Sequence, residues 1–133
     1  MVNPSALDYL QILRTHIPND DQRPETLRLE LTGSGHLQLT AGRSERVRTG
    51  FWQEPNSPDW GDRRVDAVFL PATKTLAYFQ AFVNAGALNK PLRGNTEQEP
   101  ELAILIVIGN RKNLLLTADP VFRELFRELL REF

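Results

Sequence analysis

Arg43, Arg46, Arg48, Arg63 and Arg64 are interleaved with Phe51, Trp52 and Trp60 within one short stretch of the chain. Guanidinium groups beside aromatic rings can grip phosphates and stack bases, and the same residue types anchor protein interfaces. Glu45, Glu54, Asp59 and Asp62 fall in the same stretch, leaving five positive against four negative charges. A nucleic-acid groove is more one-signed than this, because its affinity comes largely from neutralised phosphates. The segment is therefore read as a rim for a protein partner, carried by Arg46, Arg48, Phe51, Trp52, Trp60, Arg63 and Arg64. Nucleic acid is the alternative partner, and tryptophans that only cover the edge of the core are the structural alternative.

The remaining reactive residue types do not assemble into a motif. His16 and His36 are the only histidines, and neither has a neighbour at the spacing of a metal site, which needs three or four convergent ligands. Ser5, Ser34, Ser44 and Ser57 lie outside any nucleophile-elbow sequence. Thr32-Gly-Ser-Gly35 sits between two strand patterns and lacks the lysine of a phosphate loop, so it reads as a hairpin turn. Asp59, Asp62 and Asp66, with Glu97, Glu99 and Glu101, are carboxylates that keep two loops in water. The Glu-x-Lys triplet of a restriction-type nuclease core occurs nowhere. No metal and no cofactor is expected, and catalysis would require a pocket built from dispersed residues.

At 133 residues the chain suits a single globular domain spanning residues 1–133, large enough to bury a core without disulfides. Hydrophobic residues make up 41% and charged residues 25%, an ordinary globular balance, and the formal charge of −1 provides no global attraction for nucleic acid or anionic membrane. Cysteine is absent, which fits a reducing compartment. Met1 to Thr15 carries Asp8 and Arg14 within its apolar pattern and has no basic leader, so no signal peptide is read there. The longest wholly apolar run, Leu102 to Ile108, is far below the roughly 20 residues of a spanning helix. A cytoplasmic, non-membrane protein is the expectation.

Asn3-Pro4 followed by Ala6, Leu10, Leu13 and Ile17 predicts a first helix over residues 4–16. Leu27, Leu29 and Leu31 alternate with Arg28 and Glu30, Gly33-Ser-Gly35 turns the chain, and Leu37 and Leu39 alternate in turn: a half-buried antiparallel hairpin. Val47, Thr49 and Phe51 suggest a third strand over residues 46–53, closed by the Pro-rich loop from Glu54 to Arg64. Val65 to Leu70 is a fourth strand or the resumption of the third. Leu76, Phe79, Phe82 and Val83 predict a second helix over residues 72–85, stopped by Gly86. Leu102-Ala-Ile-Leu-Ile-Val-Ile108 is apolar at every position, as a central strand covered on both faces is. The polar turn Gly109 to Asn113 and the strand Leu114 to Ala118 follow it. Asp119-Pro120 then opens a last helix with Phe122, Leu125, Phe126, Leu129, Leu130 and Phe133 on one face and Arg/Glu stripes on the other.

The expected architecture is α+β: an antiparallel sheet of about five to six strands packed with three helices, in the order helix, three or four strands, helix, two strands, helix. The large apolar face of the last helix, running to the final residue, also suggests self-association through Phe122, Phe126 and Phe133. In element order, and in the segments Ala6-Leu-Asp-Tyr-Leu10, Leu31-Thr-Gly-Ser-Gly-His-Leu37 and Ile108-Gly-Asn-Arg-Lys-Asn-Leu114, the chain resembles the type III secretion chaperones and the related YbjN-like proteins. The resemblance spans Pro4 to Phe133 but carries no functional residue across. The loop from Glu54 to Arg64 and the near-neutral charge depart from the strongly acidic secretion chaperones. It implies a small, dimeric domain whose sheet or helix faces hold a partner polypeptide. A non-catalytic, chaperone-like protein-binding adaptor acting as a homodimer is the functional expectation, with a nucleic-acid-associated protein and a small-ligand or enzymatic domain as alternatives.

Overall fold

The computed structural model describes residues 8–16, 25–43, 61–91 and 102–133, and only the backbone of residues 15, 16, 25, 26, 43 and 61–63 among them. The elements are β1 (Tyr9–His16), β2 (Glu25–Thr32), β3 (His36–Arg43), β4 (Gly61–Phe69), α1 (Ala72–Asn84), β5 (Leu102–Ile108), β6 (Arg111–Thr117) and α2 (Pro120–Leu130). They form an α+β fold in which every strand pairing is antiparallel, in one six-stranded sheet of order β4-β3-β2-β1-β5-β6. Among the described residues no helix is long and apolar enough to cross a membrane.

The first predicted helix is overturned where it can be seen, because residues 9–16 form a strand between β2 and β5. In β1, Leu10 and Ile12 point to the helices while Gln11 and Leu13 point the other way, and all four are buried. A central strand needs apolar residues on both faces, and a two-faced apolar pattern also satisfies a helical spacing. Pairing on both edges then decides the conformation. The described residues thus contain two helices instead of three. The proposed strand over residues 46–53 lies outside them.

Other boundaries shift for identifiable reasons. Gly61 to Arg64, read as loop, are the first residues of β4, admitted through a register shift between Ala41 and Arg43 of β3. β6 begins at Arg111, so the turn is only Gly109-Asn110, with Gly109 at φ 60°. Two-residue turns of this kind suit the twist of a hairpin. Asn113 is drawn into the strand because its amide donates to the carbonyls of Ala87 and Lys90, at 2.7 and 2.8 Å. α1 ends as its sequence predicts. Gly86, at φ 91°, and Ala87 donate back to the carbonyls of Val83 and Phe82, which closes the last turn. At α2 the Asp119 carboxylate accepts the Val121 N–H at 3.0 Å, and Pro120 occupies the first helical position.

Both helices pack on one face of the sheet and run antiparallel to each other. Lys74 meets Glu132, Tyr78 meets Glu128 and Glu132, and Phe82 stacks on Phe122 with ring centres 6.0 Å apart. Phe79, Phe82, Phe122, Phe126 and Leu129 fill the space above Leu10, Ile12, Leu29, Leu31, Leu37, Ile104, Ile106 and Leu115. On the far face a smaller cluster joins Leu13, Ala103 and Leu116, which lie side by side across β1, β5 and β6. Leu102, Ile104 and Ile106 of β5 are buried on the helix face, while on the far face Ala103 is buried and Leu105 and Val107 are half-buried. Among the described residues no helix covers that far face.

Candidate functional site

α2 alone does not span the sheet. Six strands at about 4.8 Å spacing measure roughly 24 Å from first to last, whereas the 11 residues of α2 extend about 16 Å. α2 starts at the end of β6, and by Phe126 it lies over β1, where the Arg14 guanidinium sits 5.3 Å from the ring centre. Four residues later the helix ends. Leu29, Leu31 and Leu37 of β2 and β3 are buried beneath the two helices, and among the described residues a shelf remains on the helix face only at the opposite ends of β2, β3 and β4.

That shelf is a cavity of about 240 Å³ lined by Leu27, Leu39, Ala41, Arg64 and Asp66. The register explains why these five converge. Leu27 pairs with Ala41 and Ala41 with Arg64 in one row across the strands, while Leu39 pairs with Asp66 in the next. The floor is aliphatic and the outer rim carries one charge of each sign. Arg14 continues the first row on the inner side, opposite Leu27. Its Nε is buried and has no hydrogen-bond partner.

Beside the shelf runs the outer edge of β4. Val65 and Phe69 are 50% and 77% exposed and share the face away from the helices. The Phe69 ring leans on His36, its cross-strand neighbour, at 5.1 Å. Among the described residues β4 is the terminal strand of the sheet, so its outward backbone groups offer a row of donors and acceptors to an added strand.

A third feature lies on the far face of β1 and β2. Gln11 and Arg28 are buried there, with Tyr9 and Glu30 half-buried beside them. The Gln11 Oε1 accepts the Tyr9 hydroxyl at 2.6 Å and Arg28 Nη2 at 2.9 Å, and Arg28 Nε lies 2.8 Å from Glu30 Oε1. Burial, with the Glu30 charge second, pushes the Tyr9 phenol up to about 12. The Tyr9 hydroxyl therefore keeps its proton at neutral pH and serves as a donor. Gln11 Nε2 and Thr40 Oγ1 are buried there without a hydrogen-bond partner. The ion pair joins two residues of β2, and the Arg28–Gln11 hydrogen bond is the contact that crosses from β2 to β1.

The sequence-predicted site residues are only partly in view. Arg46, Arg48, Phe51, Trp52 and Trp60 lie outside the described residues. Arg63 is placed by its backbone in β4, and Arg64 is exposed at the rim of the shelf. Phe122 and Phe126, assigned to self-association, are buried in the chain's own core, and Phe133 is 38% exposed. Among the described residues no three His, Cys, Asp or Glu side chains cluster as a metal site requires. Leu27, Leu39, Ala41 and Asp66 were not singled out by sequence. The alternation of Leu27 and Leu39 marks them as inward-facing, but nothing local reveals which ends of their strands the helices cover. The chain matches no protein-family model, and a search of curated proteins gives no match.

Proposed function

We propose that this domain is a non-catalytic, chaperone-like adaptor that holds a segment of a partner polypeptide on the shelf formed by β2, β3 and β4. The observation that carries the reading is the aliphatic floor of Leu27, Leu39 and Ala41, left open on the helix face and rimmed by Arg64 and Asp66. At about 240 Å³ the cavity is smaller than the 300 to 1,000 Å³ usual for small-molecule sites. It suits an aliphatic side chain of an extended segment whose neighbouring residues carry charge. From β2 onward, the succession of three strands, helix, two strands and helix agrees with the order expected of a secretion-chaperone-like domain, while β1 departs from it.

The test compares native pull-downs with the wild-type chain and with two shelf variants, Leu39→Lys and Asp66→Arg, quantified by mass spectrometry. Val121→Glu is the control, since Val121 is exposed on α2 away from the shelf. Partners retained by the wild type and the control but lost from both shelf variants support the reading. An identical partner set for all four proteins, each with native circular dichroism, removes the shelf as the site.

A further inference from the structure

We infer that the outer edge of β4 pairs with the same edge of a second copy, about a two-fold axis at Ala67, to give one continuous twelve-stranded sheet. The backbone directs this. Leu70 N–H donates to Gly35 O at 2.8 Å, extending the β3–β4 ladder by one step. Successive strand residues point their N–H and C=O groups to alternate sides. Val68, Asp66 and Arg64 therefore address β3, while Phe69, Ala67 and Val65 address the open edge.

The register follows from the regular part of the strand. Pairing with β3 is unbroken from residue 64 to residue 70 and shifts beyond it, between Ala41 and Arg43. The midpoint of residues 64–70 is Ala67. An antiparallel copy that overlaps this whole segment sets Ala67 against Ala67, with Val65 against Phe69 on either side, and each of these pairs exchanges two N–H···O bonds. Val65 and Phe69 are two of the four large hydrophobic residues exposed among the described residues. This register covers both, twice, as aromatic–β-branched pairs on one face, with the small Ala67 on the axis. An axis at Asp66 would oppose two carboxylates. An axis at Val65 would carry the pairing across the irregular stretch and leave Phe69 opposite Gly61.

Seven residues of edge backbone from each copy, with these side chains, bury on the order of 1,000 Å² in total, the lower bound of specific interfaces, so the dimer dissociates on dilution. The axis is perpendicular to the sheet, which keeps the helices of both copies on one side and brings the two shelves together next to the axis. This deepens the adaptor reading by giving it a symmetric, two-site surface. Pairing itself does not require the shelf to bind anything.

The chain contains no cysteine, so single cysteines report the register. Under oxidised glutathione, Ala67→Cys forms a disulfide-linked dimer, because directly opposed residues lie within disulfide reach. Val65→Cys alone does so at least tenfold more slowly, and a mixture of Val65→Cys with Phe69→Cys gives the heterodimer. By sedimentation equilibrium the untagged wild-type mass rises from 15.2 kDa toward twice that value with concentration, and Phe69→Lys weakens association at least tenfold with an unchanged melting curve. A concentration-independent monomer, or equal cross-linking of Val65→Cys and Ala67→Cys, overturns the inference. Neither measurement needs a partner, so loss of pull-down partners from the shelf variants stands or falls separately.

Discussion

Gly35 and Gly109 both end hairpins with positive φ, yet replacing them by alanine should have very different consequences. At Gly109 a new Cβ meets nothing within 4 Å, and only the left-handed backbone, φ 60°, opposes it. That costs about 1 to 2 kcal/mol, less about half a kcal/mol because alanine restricts the unfolded chain. At Gly35, φ 97°, the Cβ would sit 2.4 Å from the Leu70 carbonyl oxygen and 3.2 Å from Thr75 Oγ1. Relief requires the backbone of β3 and the β4–α1 junction to separate, straining the Leu70–Gly35 hydrogen bond, worth about 1 kcal/mol. Gly35→Ala should therefore destabilise by about 3 kcal/mol or more, out of a total of about 5 to 15 kcal/mol. For a chain of this length that is a fall of about 12 °C in Tm, against about 4 °C for Gly109→Ala. Urea titration and thermal melting, both followed by far-ultraviolet circular dichroism, measure the difference. Equal losses at the two sites would refute the claim that the close approach of Gly35 to Leu70 constrains that end of β3 and β4.

The other expectations concern charge and capping. Asp119→Ala removes the acceptor of the Val121 N–H and should cost about 1 kcal/mol in urea titration. The Asp119 carboxyl is held below its ordinary value chiefly by that N–H and then by Lys90, and the Glu132 carboxyl chiefly by Lys74 and then by Tyr78. Because these folded values are depressed, the stabilisation is present above about pH 4 and is lost as pH falls through them. Asp119→Asn combined with Glu132→Gln should flatten the acid limb of a stability–pH profile, and an unchanged limb would count against both contacts. Tyr9 and Tyr78 are the only tyrosines, and both phenols are raised, first by burial and then by Glu30 and Glu132 respectively. Tyrosinate absorbance in the folded protein should stay low near pH 10, and the stability tied to the neutral phenols should be lost only as pH climbs past that value. A normal midpoint near 10 would contradict it. Arg28→Ala leaves Gln11 and Glu30 half-satisfied and should destabilise by about 3 kcal/mol in the same denaturation assay.

The C-terminal third was the most legible part of the sequence because its signals are local. A seven-residue apolar run, a polar turn opening on Gly109 and an Asp-Pro cap are such signals, and β5, β6 and α2 follow from them, with β6 starting three residues before its apolar run. β1 was misread because its conformation is decided by partners distant in sequence: Ile12 pairs with Leu29 on one side and Ile104 on the other. The shelf was illegible for a different reason. Its floor residues belong to correctly read strands, but which ends of those strands the two helices cover is decided by packing across the whole sheet. Arg64 was singled out for its charge, while Leu39 and Ala41 beside it look like any inward-facing strand residues.

The edge and the shelf adjoin. Among the described residues the row of Leu27, Ala41 and Arg64 keeps a shelf on the helix face, and the strand order leaves β4 without an outer neighbour. Exposed strand edges are ordinarily blunted by charge, proline or irregular pairing. β4 carries Arg64 and Asp66 on the helix face and an irregular stretch before Arg64, but on the other face it presents Val65, Ala67 and Phe69 over the part that pairs regularly. The protection stops where the apolar side chains begin.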